Sequence, residues 1–176
     1  MMSVTTAIQD VRDFAFAKHE GQVRKHDGRP YFAHLEGVVA ILIEHGHKSE
    51  DVIAAAFLHD TIEKTETTVE ELIEKFGAPV AELVYWLTDM EKGSRKSRAL
   101  QTAWRLSRAP WNAKLIKLAD IIDNGSAIMM CNPDFGPTFS DEKRLQLKKM
   151  AGVEGSRLLR LPLFQKAATI TESATL

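Results

Sequence analysis

Apolar residues recur along this chain every three or four positions, which is the spacing of helices that pack by one face. The first two stripes are formed by Ile8, Val11, Phe14 and Ala15 and by Leu35, Val38, Val39 and Leu42. A loop rich in charge and glycine, about residues 21–30, separates them, and we expect Gly46 to end the second helix. No alternating strand pattern of useful length is present, so the sequence predicts an all-α helical bundle.

Capping signals mark the next two helices. Ser49 precedes an apolar segment, residues 52–64. Acidic residues come directly after Ser49, in the first turn of the predicted helix, so Ser49 is a typical N-cap. Thr68 and Glu71 have the spacing of a capping box, and Gly77 is expected to end the helix that they open. Both helices are therefore predicted from their first turns as well as from their apolar positions.

The second half of the chain is also predicted to be helical. Apolar stripes indicate helices over residues 80–87, from about residue 100 to Pro110, and from Asn112 onward. Residues 89–98 are expected to form a basic connection interrupted by glycine. Residues 131–141 contain two prolines and a glycine, so a loop is expected there before a last helix from about Glu142 to Leu161.

Length, charge and cysteine content narrow the class of protein. At 176 residues the chain is expected to be one domain, residues 1–176, that needs no disulfide. The 23 basic and 24 acidic residues nearly balance, so no net positive charge attracts nucleic acid. Cys131 is alone, and neither a signal sequence nor an apolar run of roughly 18 residues is visible. We therefore expect a cytoplasmic protein without a membrane or nucleic-acid partner.

Candidate chemistry begins where the apolar third helix ends. His59 and Asp60 are adjacent there, and Glu63 follows within one turn, so the three side chains are expected to face one cavity. His34 and Asp120 each lie on the apolar face of another predicted helix. Two imidazoles and two carboxylates suit manganese, iron or zinc, and an incomplete shell leaves room for water and a phosphate oxygen. Because such a cation is a Lewis acid and activates water, the set predicts phosphoester or phosphoanhydride hydrolysis.

A histidine taken singly is more often a satisfied or surface residue than a metal ligand. His19, His26, His45 and His47 are placed in that structural class. The candidate ligands differ from them because they occur in the order H…HD…D on separate predicted helices. Spacing alone leaves a metal site and a structural role both open.

Three segments carry a resemblance to a known family. They are FAFAKHEGQVRKHDGRPYFAHLEGVVAIL, VIAAAFLHDTIEKTETTVEELIEKFGAPVAELV and KLIKLADIIDN. In this order they resemble the HD-type hydrolase domain of the stringent-response Rel/SpoT proteins, and the chain is similar in layout to the small free-standing alarmone hydrolases. The resemblance implies an all-α HD domain that uses manganese to hydrolyse the 3′-pyrophosphate of nucleotides such as ppGpp or ppApp.

The resemblance also implies roles for individual residues. The metal ligands are matched by His34, His59, Asp60 and Asp120. Glu63 matches the acid that works on the attacking water. Arg24 matches the arginine that lies against the nucleobase, and such a contact is favourable because a guanidinium plane stacks on an aromatic face. Lys25 matches a residue near phosphate. From the residues alone, a solvated loop charge is the alternative for both cations.

Further residues of interest fall on the matched segments. Asn124 follows Asp120 by one turn and is expected to hydrogen-bond the sugar or base, with capping of a helix end as the alternative. Lys117 lies one turn before Asp120 and either pairs with it or reaches phosphate. Tyr31 is expected to pack beside His34.

The chain departs from the Rel/SpoT pattern at two places. Glu63 is followed by Lys64 where that family has a second acid, and we expect this cation to face the substrate as part of the catalytic site rather than solvent. Asp123 replaces a histidine and Ile121 an arginine, which leaves the base and ribose contacts open. A basic cluster comprises Arg95, Lys96 and Arg98.

Two roles are open for this cluster: its side chains bind the 5′-diphosphate of the substrate, or they form a solvated connection between helices.

The sequence therefore predicts a manganese-dependent hydrolase that releases pyrophosphate from a purine nucleotide alarmone, with a small-molecule nucleotide as its partner. Two alternatives stay open. One is an HD phosphatase that acts on another nucleotide and releases orthophosphate. The other is a nucleotide sensor without catalysis, which the cation at Lys64 favours.

Overall fold

The computed structural model describes residues 8–173, which form a bundle of α-helices with one short 3₁₀ helix. The α-helices are α1 (Ile8–Lys18), α2 (Phe32–Glu44), α3 (Glu50–Leu58), α4 (Thr61–Lys64), α5 (Val69–Phe76), α6 (Ala78–Leu87), α7 (Arg95–Arg108), α8 (Trp111–Cys131), α9 (Gly136–Glu154), α10 (Ser156–Leu159) and α11 (Pro162–Ser173). The 3₁₀ helix, Pro133–Phe135, precedes α9. The predicted all-α class is confirmed, and β pairing within residues 8–173 is limited to an isolated bridge between Val23 and Pro30.

The longest helix, α8, forms the centre of the bundle. Every residue from 113 to 122 is buried, which is the pattern of a helix covered on all sides. Helices α2, α3, α6, α9 and α11 pack around it. Lys117 and Asp120 lie on this stretch, and burial of their charges is unfavourable unless each has a partner.

The helix that precedes the His-Asp pair is shorter than its apolar pattern predicts. Residues 52–64 are expected to form one helix, but α3 ends at Leu58 and the short α4 begins at Thr61. The Thr61 hydroxyl donates a 2.7 Å hydrogen bond to the carbonyl of Leu58, which satisfies a backbone group at the break. His59 and Asp60 therefore lie at a bend, and both are buried.

The predicted boundaries of α5 have the expected capping geometry. The Thr68 hydroxyl accepts a 3.2 Å hydrogen bond from the backbone N–H of Glu71. Gly77 ends the helix with φ of +87°, a conformation that favours glycine. Ser49 stands at the N-cap of α3 with extended backbone, but its side chain makes no capping hydrogen bond.

The predicted loop over residues 131–141 and the single last helix are wrong in their boundaries. Helix α9 already begins at Gly136. Pro137 is compatible with this start because it lies in the first turn, where its missing N–H leaves no helix hydrogen bond unmade. Gly155, with φ of +58°, ends α9, and α10 and α11 follow. Helix α11 packs on α8 and α9, a long-range contact that no local pattern shows. Arg95 likewise begins α7 instead of lying in a connection.

The buried apolar side chains of residues 8–173 form one hydrophobic cluster. None of the helices in that range has both the length and the apolar character to cross a bilayer. The expectation that no signal sequence is present falls partly on residues 1–7, which lie outside the described residues. A single domain over residues 1–176 stays a prediction.

Candidate active site

Four polar side chains converge at the centre of the bundle. His34 belongs to α2, His59 and Asp60 to the bend before α4, and Asp120 to α8. One ligand atom each from His34, His59 and Asp120 lies within 4.8 Å of the others. Oδ2 of Asp60 lies 3.6 Å from Nε2 of His34 and 3.4 Å from Nε2 of His59. The fold therefore brings together the four candidate metal ligands of the sequence.

Both imidazoles are oriented by a hydrogen bond at Nδ1. Nδ1 of His34 lies 2.7 Å from Oδ2 of Asp123, and Nδ1 of His59 lies 2.8 Å from the backbone carbonyl of Ala56. Their Nε2 atoms are buried and have no hydrogen-bond partner. Because two unpartnered nitrogens face a carboxylate pair, the residues fit a transition-metal cation, which takes imidazole and carboxylate ligands.

The charges in this cluster support binding of a cation. Burial raises the pKa of Asp60, but neighbouring positive charge, with His59 the largest contributor, outweighs burial and holds the pKa below its usual range. Burial lowers the pKa of His34, whereas the carboxylates of Asp120 and Asp123 raise it to about 9 overall. A metal ion would therefore replace a proton on His34, and its binding would release protons.

Asp60 also has partners outside the histidine pair. The Tyr31 hydroxyl donates a hydrogen bond to Oδ2, and Nζ of Lys64 lies 3.2 Å from Oδ1. The Tyr31 ring packs edge-on against His34, with ring centroids 5.6 Å apart. The expected packing of Tyr31 beside His34 is present, and its hydrogen bond to Asp60 is an additional contact that the sequence did not predict.

A cavity of about 290 Å³ lies beside the candidate ligands. Predicted site residues in its lining are Arg24, Lys25, Asp60, Glu63, Lys64, Lys117, Asp120 and Asn124. The full lining of the cavity contains five Lys or Arg side chains and five Asp or Glu side chains, so their formal charges balance. A divalent cation would shift this balance to positive, which favours a phosphate-bearing ligand.

Arg95 and Lys96 lie outside this cavity. They line a neighbouring groove of about 560 Å³, between the first turn of α7 and α9. Nε of Arg95 lies 2.5 Å from Oε1 of Glu142, and its guanidinium lies 5.1 Å from the ring centroid of Phe135. Glu142 and Phe135 also line the cavity, so Arg95 stands at its rim. Contact of these cations with a 5′-diphosphate stays a prediction.

Glu63 and Lys64 are neighbours on the cavity wall. Nζ of Lys64 lies 3.1 Å from Oε1 of Glu63, whose Oε2 accepts a 3.3 Å hydrogen bond from the backbone N–H of Asp89. The Lys64 ammonium lies 5.7 Å from the Tyr31 ring centroid. Burial lowers the pKa of Lys64, but Asp60 and Glu63 outweigh burial and raise the pKa above its usual value. Lys64 thus faces the cavity as a cation, and its catalytic role stays a prediction.

Arg24 is buried, with 3% of its surface exposed, so the solvated-charge alternative is wrong for this residue. Its Nη2 lies 2.8 Å from Oδ2 of Asp123 and 3.5 Å from Oδ1 of Asn124. Its Nη1 lies 3.4 Å from Oδ2 of Asp27 but makes no hydrogen bond. Nη1 of Arg24 therefore has an ion-pair partner but no hydrogen-bond acceptor.

Lys117 and Asn124 both hold Asp120. Nζ of Lys117 lies 2.7 Å from Oδ2, and Nδ2 of Asn124 donates a 2.6 Å hydrogen bond to Oδ1. Burial raises the pKa of Asp120, but the charge of Lys117 outweighs burial and holds the pKa well below its usual value. Helix α8 continues to Cys131, so the alternative that Asn124 caps a helix end is wrong.

Two residues of the site are missing from the sequence prediction. Asp123 is the hydrogen-bond partner of His34, and its spacing of one turn from Asp120 was the available signal. Lys143 lines the cavity from α9, and burial, together with the charge of Lys117, lowers its pKa to about 8. Lys143 has no local signal, because it reaches the cavity only through the packing of α9 on α7 and α8.

Sequence comparisons identify relatives of this chain. The profile of the HD domain family matches residues 12–128. Guanosine-3′,5′-bis(diphosphate) 3′-pyrophosphohydrolase MESH1 of Danio rerio is 39% identical over 134 residues, which are 75% of this chain and 74% of that protein. The Homo sapiens MESH1 is 38% identical over 136 residues, 76% of each. Guanosine-3′,5′-bis(diphosphate) 3′-pyrophosphohydrolase of Aquifex aeolicus is 38% identical over 145 residues, 81% of this chain but 19% of that longer protein.

Solved structures share the fold. One, described as a metazoan orthologue of SpoT that hydrolyses ppGpp and plays a role in starvation responses, matches with a TM-score of 0.83 and 26% identity. The match covers 98% of this chain and 97% of that one. The structure of lmo0812 from Listeria monocytogenes EGD-e matches with a TM-score of 0.68 and 26% identity, covering 85% of this chain and 98% of that one.

Proposed function

The chain belongs to the HD domain family, and from that membership we propose that it is a metal-dependent hydrolase of the 3′-pyrophosphate of a purine nucleotide such as ppGpp or ppApp. The observation that carries the proposal is the pair of buried, unpartnered Nε2 atoms of His34 and His59, next to Asp120 and a cavity lined by five cationic and five acidic side chains. The names of the relatives support a guanosine bis(diphosphate) substrate. The proposal includes manganese as the cation, a cytoplasmic location and one domain over residues 1–176.

The metal would be held by His34, His59, Asp60 and Asp120. A divalent cation at this position supplies Lewis-acid stabilisation of phosphoryl oxygens and lowers the pKa of water. The side chains around it prepare the ligands, because Asp123 and the Ala56 carbonyl orient the imidazoles. Lys117 and Asn124 orient Asp120 in the same way.

Release of pyrophosphate defines the bond that breaks. Water adds to the phosphorus next to the ribose, and the bond from that phosphorus to the 3′-oxygen breaks. The departing 3′-oxygen takes a proton from solvent, which gives a 3′-hydroxyl and pyrophosphate. Glu63 would accept the proton of the attacking water, since its carboxylate lies on the cavity wall. Lys64 and Lys143 would neutralise phosphate oxygens, and Arg24 would contact the nucleobase.

Metal dependence is the direct test of the proposal. Protein stripped of metal by a chelator is assayed with ppGpp and ppApp after addition of Mn²⁺, Zn²⁺, Fe²⁺ or Mg²⁺. We expect hydrolysis to be absent without metal and to return with Mn²⁺. Full turnover by the stripped protein, without added metal, would contradict the proposal.

A non-catalytic nucleotide sensor is the second candidate function. Lys64 favours it, because its ammonium contacts both Asp60 and Glu63, the groups that catalysis needs free. This function predicts tight binding of ppGpp in the presence of Mn²⁺ without turnover, whereas an HD phosphatase acting on other nucleotides would release orthophosphate.

Removal of the Lys64 charge is expected to weaken substrate binding. Lys64→Ala should raise KM for ppGpp by about tenfold, because a charge-assisted contact to phosphate contributes roughly 1.5 kcal/mol. The KM should also become less sensitive to salt. Steady-state kinetics at two salt concentrations measure both effects, with Lys148→Ala, an exposed lysine of α9, as the control. Parameters equal to wild type in both Lys64→Ala and Lys64→Asp would contradict a substrate-facing Lys64.

The lowered pKa of Lys143 predicts a pH dependence. Its ammonium is charged below about pH 8 and neutral above, so kcat/KM for a polyanionic substrate should fall by about tenfold as pH rises through 8. Lys143→Arg should keep kcat/KM constant in this range, because arginine stays charged. Profiles of kcat/KM from pH 6.5 to 9.5 measure the difference. Identical profiles for the wild type and Lys143→Arg would show that Lys143 does not bind substrate.

A further inference from the structure

Asp123 connects the candidate metal site to the cavity wall through a single oxygen atom. Its Oδ2 lies 2.7 Å from Nδ1 of His34 and 2.8 Å from Nη2 of Arg24. The side chain is 14% exposed and Arg24 is 3% exposed, so the contacts are largely shielded from water. Hydrogen bonds to a charged, shielded carboxylate are the strong class, and they fix the geometry of both partners.

Gly37 makes room for this carboxylate. A methyl group at Gly37 would lie 2.2 Å from Oδ1 of Asp123, closer than nonbonded atoms approach. Gly37 lies on α2, one turn after His34, and Asp123 lies on α8, one turn after Asp120. The close approach of the two helices thus places the carboxylate next to the backbone of the helix that carries His34.

We propose that Asp123 is a positioning residue that orients His34 toward the metal and holds Arg24 in the cavity wall. By accepting the Nδ1 hydrogen of His34, Asp123 leaves the lone pair of Nε2 directed into the site. The inference rests on the proposed function, because it needs a metal at His34.

Removal of the carboxylate is expected to weaken metal binding. Asp123→Ala leaves His34 free to rotate, and loss of such a partner typically lowers metal affinity by about 10- to 100-fold. Asp123→Asn retains an acceptor but loses the charge, so its loss should be smaller. Asp27→Asn is the matched control, because Asp27 also contacts Arg24 but does not touch His34. It should bind metal as the wild type does.

Gly37→Ala offers a second route to the same contact without removing any polar side chain. Its methyl group should displace the Asp123 carboxylate and lower metal affinity. In an Asp123→Ala background the methyl group meets no carboxylate, so the Gly37→Ala effect should disappear. A general packing defect would instead add to the loss in both backgrounds.

The test is a calorimetric titration of metal-stripped protein with Mn²⁺. It compares the wild type with Asp123→Ala, Asp123→Asn, Asp27→Asn, Gly37→Ala and the Gly37→Ala/Asp123→Ala double variant. The visible spectrum of bound Co²⁺ reports ligand geometry, and circular dichroism reports folding. We expect weaker binding and an altered Co²⁺ spectrum in Asp123→Ala, Asp123→Asn and Gly37→Ala. Asp27→Asn should match the wild type in both measurements. Wild-type affinity in Asp123→Ala, or additive effects of Gly37→Ala, would overturn the positioning role while turnover of ppGpp by the wild type still supports the proposed function.

Discussion

Replacement of His59 with alanine is expected to abolish both metal binding and hydrolysis. His59 supplies one of two buried imidazole nitrogens that have no other partner, so its removal leaves the cation with an incomplete ligand set. If the metal contributes at least about 4 kcal/mol to the transition state, turnover should fall by about 10³-fold or more. Metal content by mass spectrometry and turnover of ppGpp measure the two losses.

The same variant should keep its helical fold. The break between α3 and α4 is held by the Thr61 hydroxyl and the Leu58 carbonyl, which do not involve the His59 side chain. His45→Ala is the matched control, because the His45 ring hydrogen-bonds the backbone carbonyl of Ile41 away from the site. Hydrolysis at the wild-type rate by a metal-free His59→Ala protein would exclude a metal mechanism.

Glu63→Gln is expected to separate catalysis from binding. Glutamine cannot take a proton from water, so kcat should fall by about 10²- to 10⁴-fold. The amide oxygen still accepts the hydrogen bond from the backbone N–H of Asp89, so the local structure should be retained. Metal affinity and KM should change little, because Glu63 is not among the candidate ligands.

Glu66→Gln is the control for this substitution. Glu66 lies three residues further along the chain and pairs with Lys18 on the surface, so its neutralisation should leave kcat unchanged. A kcat of Glu63→Gln equal to that of wild type would assign Glu63 a structural role through Asp89. Loss of bound metal in Glu63→Gln would make it a ligand instead of a proton acceptor.

The interior position of the four candidate ligands could be predicted from the sequence, because His34 and Asp120 lie on apolar helices and His59 and Asp60 follow a buried apolar run. His34 and Asp120 point inward for the same reason as the leucines around them, and His59 ends a buried run. Helix periodicity gives the face of each side chain without any knowledge of the tertiary fold. Periodicity does not show that these side chains meet at one point, and only the family resemblance predicts that they do.

The contacts around the ligands were harder to predict, because they join distant parts of the chain. Arg24 and Asp123 pair across about a hundred positions, and neither residue type indicates its partner. Lys143 lies in the predicted last helix, but it reaches the cavity only through the packing of α9 on α7 and α8. Charge alone leaves Arg95 and Lys96 open as phosphate contacts or as solvated residues, and the first turn of α7 places both in the groove beside the cavity.

Identification of the reaction products tests the central claim most directly. Wild-type protein is incubated with Mn²⁺ and ppGpp, and the products are separated by anion exchange and identified by ³¹P NMR. We expect GDP and pyrophosphate in equal amounts, because water attack at the ribose-proximal phosphorus frees the 3′-oxygen. Orthophosphate as the product, or ppGpp that stays bound and intact on the manganese-loaded protein, would contradict a 3′-pyrophosphohydrolase.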